Sequence, residues 1–91
     1  MVKHIVAFKL LDPADAPAMA AILAGLAGEP GVCHWEVGVN SGSSSRPYEV
    51  VVSELDDMAS LETFRTGAAH THVKDAIARY IETSGTIDYE R

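Results

Sequence analysis

A chain of 91 residues, 47% hydrophobic and 22% charged, makes one globular domain over residues 1–91 and leaves no room for a second core. Thirteen Asp and Glu against seven Lys and Arg give a net charge of −6, which repels a phosphate backbone and excludes nucleic acid as a natural partner. The single cysteine, Cys33, cannot close an intrachain disulfide, no apolar run reaches the roughly 18 residues that span a bilayer, and no signal-like segment precedes the first strand, so a cytoplasmic protein without a membrane partner is expected.

Residues 2–10 alternate, with Val2, His4, Val6, Phe8 and Leu10 on one side and Lys3, Ile5, Ala7 and Lys9 on the other, which predicts a first strand. Asp12 and Pro13 open a helix whose Met19, Ile22, Leu23 and Leu26 keep the i, i+3, i+4, i+7 spacing up to Gly28 and Pro30. A second strand runs from Val32 to Val39 with Cys33, Trp35, Val37 and Val39 on its apolar side. The Ser- and Gly-rich stretch 40–47 is a loop. Tyr48 to Leu55 is a third strand, and its consecutive Val50, Val51 and Val52 predict that both faces are covered. Asp56 and Asp57 are N-cap candidates for a helix that carries Met58, Leu61 and Phe64 and breaks at Gly67. Val73, Ala76, Ile77, Tyr80 and Ile81 continue as a further helix, and Thr86 to Glu90 is a closing strand.

This order is that of a split βαβ, an α+β ferredoxin-like fold: an antiparallel four-stranded sheet with its helices on one face. Ile5, Ala7, Val32 and Val51 fall on the side away from the main apolar rows. A second copy packing sheet against sheet would bury them, so a homodimer through the sheet face is expected.

Four histidines carry the chemistry worth weighing. On the last helix His70 falls about 50° from the centre of the apolar stripe and His72 about 110°, so His70 is turned toward the core and His72 toward water. Taken locally, His70 reads first as a structural histidine at the helix start, and Asp88, sharing a side with Thr86 and Glu90, as a surface carboxylate. His4 interrupts an apolar row, which requires either a hydrogen-bonded neighbour or a ligand. His34 suits the surface or an interface. The spacing His70-x-His72 does not put two metal ligands on one helix face, and no glycine-rich phosphate loop, nucleophile elbow or Cys-x-x-Cys occurs, so neither metal nor cofactor is expected; a metal held by His70 with His4 or a nearby carboxylate is the third and weakest reading.

The opening Val2-Lys3-His4-Ile5-Val6-Ala7-Phe8-Lys9, the Glu29-Pro30-Gly31-Val32 turn leading to Trp35-Glu36-Val37-Gly38, the Ala68-Ala69-His70 helix start and the closing Ile87-Asp88-Tyr89-Glu90 together resemble the stress-responsive dimeric A/B barrel (Dabb) domain. The resemblance spans nearly the whole chain and implies a ferredoxin-like subunit that dimerises through its sheets. One branch of the family cyclises linear polyketide acids. By resemblance to it, His70 takes the place of the general base, Asp88 that of the aspartate orienting the base, and His4 that of the first-strand histidine. Phe64 stands where that branch has an assisting tyrosine and has no hydroxyl to donate. Gly67 and Ala68 replace a His-Pro pair common in the family. An oxyanion stabiliser would then come from His4, Tyr48 or backbone N–H groups.

The expected site is a small, mainly apolar pocket between sheet and helices. His4, Val6, Phe8, Met19, Ile22, Trp35 and Phe64 line it, with His70 and Asp88 as the catalytic pair. Such a pocket suits a small apolar or aromatic acid and chemistry of the cyclase, lyase or isomerase type. The alternative is a non-catalytic stress-response or interaction protein whose histidines are structural.

Overall fold

The computed structural model describes residues 1–28, 34–42 and 48–90, except the side chains of Asp56, Met58 and Leu61. Strand β1 (Val2–Leu10) follows the predicted alternation. The Asp12 side chain accepts a hydrogen bond from the Ala14 N–H and starts a 3₁₀ turn, Pro13–Asp15, which feeds helix α1 (Ala16–Ala24). Strands β2 (His34–Val39) and β3 (Val50–Asp56) come next. The expected second-strand residues Val32 and Cys33, and the turn Glu29 to Gly31, lie outside the described residues. Helix α2 (Met58–Thr66) is capped by Asp57, whose carboxylate accepts from the Ser60 N–H at 2.7 Å. Gly67, with extended backbone, ends α2 and starts α3 (Ala68–Ile77).

One boundary differs from the sequence reading. Tyr80 and Ile81 keep the helical spacing, yet α3 stops at Ile77 and passes through a 3₁₀ turn, Ala78–Tyr80, into β4 (Ile81–Glu90), twice the expected length. Pairing decides this. Nine of the ten residues of β4 pair with β1 across a bulge that skips Glu82, the Leu11 N–H bonds the Tyr80 carbonyl, and Lys9 ion-pairs with Glu82, so ladder bonds outweigh one more helical turn.

The sheet order is β2-β3-β1-β4 with every neighbouring pair antiparallel, the ferredoxin-like arrangement. Its helix-facing side carries the core: Phe8 and Leu10 from β1, Val50 and Val52 from β3, Met19 and Leu23 from α1, and Ile77 from α3. The opposite side is open. Ile5 and Ala7 sit there beside Val51, and Ile87 and Tyr89 of β4 extend the patch with 64% and 46% of their surface exposed. Val51 lies on this open side, the side that the sequence assigns to a second copy. Val50 and Val52 are buried while Val51 is exposed, because only one face of the sheet has helices over it.

Candidate active site

The registers place four side chains in one row across the helix-facing side of the sheet. Trp35 is opposite Glu54, Glu54 opposite His4, and His4 opposite Asp88. Partners in a ladder project to the same side, so strand geometry alone brings them together. His4 is hydrogen-bonded through Nδ1 to Asp88 Oδ1. Its Nε2 faces Glu54 Oε1 at 3.8 Å. Arg65 of α2 closes over the outer end, with Nη2 3.5 Å from Asp88 Oδ2 and 2.9 Å from His4 Nδ1. One ring nitrogen cannot give its proton to Asp88 and also accept from Arg65. The carboxylate takes the Nδ1 proton, and the guanidinium then serves Asp88.

The burial along this row is graded. Asp88 is 44% exposed, His4 13% and Glu54 2%. A carboxyl group buried that deeply is costly to charge without a partner, and the imidazole edge supplies one. With Nδ1–H directed to Asp88, the second ring nitrogen of His4 is left facing the Glu54 carboxyl on the cavity wall.

Above the sheet, Phe64 packs edge-on against Trp35 and against His70, with centroid distances of 5.5 and 5.0 Å. The Trp35 indole N–H donates to the Leu23 carbonyl at 3.0 Å, which ties the platform to the end of α1. Between α3 and the sheet opens a cavity of about 490 Å³. Of the residues expected there, His4, Val6, Phe8, Trp35, Phe64 and His70 line it. Met19 and Ile22 do not. Met19 is wholly buried in the core and Ile22 packs against it, while Leu23 and Leu26, further along α1, reach the cavity instead. Tyr48 is also displaced from the expected role. It lies with Ile5, Ala7, Gly85 and Ile87 in a groove on the open side of the sheet, where it cannot reach a ligand in this cavity.

The expected contact between His70 and Asp88 is replaced by that between His4 and Asp88, because the β1–β4 register puts Asp88 directly beside His4. His70 lines the cavity without a described hydrogen-bond partner. Burial holds its imidazole below the ordinary 6.5, helped by the positive charges of Lys74 and Arg65 and by His4, so it is neutral at neutral pH. For Asp88, burial works upward, but the bond and charge of His4 and those of Arg65 outweigh it and hold the carboxyl below the ordinary 3.8. Glu54 and Lys74, both on the cavity wall, were missed by the sequence reading. Glu54 shares the parity of Val50 and Val52, the same signal of a polar residue in an apolar row that singles out His4. Among the described residues no cluster of three His, Cys, Asp or Glu side chains is arranged to hold a metal ion, and no helix is long and apolar enough to cross a membrane.

Fold and cavity together define a ferredoxin-like α+β barrel subunit, with a bare sheet face on one side and an apolar chamber with two imidazoles on the other. The chain belongs to the stress responsive A/B barrel domain (Dabb) family, whose model matches residues 2–91. Solved structures with the same fold include a dimeric ferredoxin-like protein of unknown function from Bacteroides fragilis, with 22% identity, TM-score 0.82, and coverage of 99% of this chain and 95% of that one. A dimeric ferredoxin-like protein of unknown function from Thermobifida fusca has 18% identity and TM-score 0.84, covering 99% and 90%. A Dabb family protein from Mesorhizobium loti has 22% identity and TM-score 0.76, covering 99% and 95%. No curated protein matches the sequence.

Proposed function

We propose that the cavity binds a small, largely apolar or aromatic acid and carries out proton transfer next to a carbonyl, chemistry of the cyclase, lyase or isomerase type. The observation that carries this reading is one apolar chamber lined by two imidazoles in different states: His70, kept neutral, and His4, held between two carboxyl groups. In the reaction, a neutral His70 nitrogen takes an acidic α-proton and the C–H electron pair passes into an enolate. The enolate oxygen is stabilised by a hydrogen bond from the His4 side of the cavity, the contact that Phe64 cannot make. Asp88 orients His4 and fixes its tautomer.

The test is exchange of α-protons for deuterium in an aromatic 1,3-dicarbonyl acid, followed by NMR. The protein should accelerate exchange, and His70→Ala should abolish the acceleration while the fold persists. A wild-type rate equal to that of buffer, or an unchanged rate in the variant, overturns the catalytic reading. Phe64 favours a second reading, ligand binding without turnover, which predicts shifted cavity resonances and no exchange.

We further infer that the chain is a homodimer joined through the open sheet face, since Ile5, Val51, Ile87 and Tyr89 form an apolar surface too continuous to leave in water. The similarity to dimeric structures supports this. A cytoplasmic location and a stress-related role complete the reading, supported by the lone cysteine and the family.

A further inference from the structure

We propose that Lys74, with the hydroxyls of Ser84 and Thr86, forms the mouth of the cavity and binds the carboxylate of the ligand, so that the ligand enters with its apolar body first and its charge outermost. The assignment rests on reading the cavity as a ligand site and adds the orientation and charge of what it takes.

The helix-facing side chains of β4 read Ser84, Thr86, Asp88, whereas their partners on β1 read Phe8, Val6, His4. The two hydroxyl residues line the cavity and are exposed, so the helix layer does not close over β4 and the chamber opens along that edge. Lys74 lines the same cavity from α3. It lies one helical turn from His70 and is exposed. Other described cations are committed elsewhere: Lys9 to Glu82, Arg65 to Asp88, and Arg79 over the Tyr80 ring, while Lys3 projects from the open sheet face. Among the described residues Lys74 has no ion-pair partner. It is a cation whose reach covers the opening.

The inner wall sets the direction of entry. Glu54 is buried in the cavity wall, and a carboxylate pushed in beside it would meet an acidic group in a poorly solvated space. At the mouth the same carboxylate meets an ammonium group and two hydroxyl donors while staying partly hydrated. The protein's net charge of −6 gives an anion no general attraction, so a local cation has to supply it. The ligand class that fits is a monocarboxylate with an apolar or aromatic body, and Lys74 is its specificity-determining residue.

The probes are 4-butylbenzoate and its uncharged counterpart 4-butylbenzamide. Their binding is followed by the emission of Trp35, the only tryptophan and part of the cavity wall. Wild-type protein should prefer the carboxylate by about two- to fivefold, the range for one solvent-exposed ion pair. Lys74→Met should weaken the carboxylate more than the benzamide and so erase that preference, and Lys74→Glu should favour 4-butylbenzylammonium. Thr86→Val, which removes one hydroxyl at constant shape, should reduce the preference by a smaller factor. A carboxylate preference that survives in Lys74→Met, or equal weakening of both probes, overturns the assignment while the cavity remains a binding site. If neither probe changes Trp35 emission or cavity NMR signals in the wild type, the ligand-site reading itself falls and the assignment with it.

Discussion

The two faces of this sheet use the same alternation for opposite purposes. On the helix side, Val6 and Phe8 of β1 and Val50 and Val52 of β3 are apolar, while Glu54 and His4 break the row and Asp88 extends the break onto β4. On the open side, Ile5, Ala7, Val51 and Ile87 are apolar and uncovered. Strand β4 carries both patterns, polar toward the cavity and apolar toward the open face. A polar residue in a covered row therefore marks chemistry, and an apolar residue in a bare row marks a surface suited to a partner.

The largest expected effect separates the faces. Ile87→Glu puts a charge in the centre of the apolar patch and should convert the proposed dimer to monomer, measured by light scattering, while Trp35 emission stays native. A monomeric wild type breaks the comparison. On the cavity side, Phe64→Ala removes the ring between Trp35 and His70 and should cost about 3 to 5 kcal/mol in denaturant unfolding.

The two imidazoles should differ in their structural worth. His4→Ala leaves Glu54 buried without its imidazole neighbour and should cost about 2 kcal/mol or more. His70→Ala should cost less, because only a ring contact is lost. Equal costs would remove the distinction between a structurally gripped and a free histidine.

Two smaller effects appear with pH. The folded protein resists protonating His70, so the unfolded chain binds more protons as pH falls below the ordinary value of 6.5. Stability is complete above that pH and declines below it toward the depressed folded value. His70→Gln should flatten this slope, and Lys74→Met should raise the His70 midpoint in an NMR titration. Asp88 acts at lower pH. Its carboxyl is held below 3.8, so its contribution is present above that value and lost as pH falls through the folded one. Asp88→Asn should remove this small acid-side loss, reduced by the exposure of the pair.

Alternation in β1 made its two faces legible, and the Asp57 cap and the break at Gly67 were legible because each is local backbone chemistry. The end of α3 was not. Tyr80 and Ile81 satisfy the helical spacing and the strand pairing alike, and contact with β1 chose between them. Glu54 carried a readable signal in its parity. The mouth at Lys74 did not, since a lysine one turn beyond His70 looks like any solvated helix face until β4 leaves its edge uncovered.

Periodicity and caps thus determined the elements, their order, the apolar pocket and the bare face, because each depends on side chains spaced along one segment. Which carboxyl meets which histidine was decided by the tertiary structure alone. That choice depends on how β1 is aligned with β3 and β4, an alignment fixed by packing among residues some fifty to eighty positions apart, and it moved Asp88 from His70 to His4.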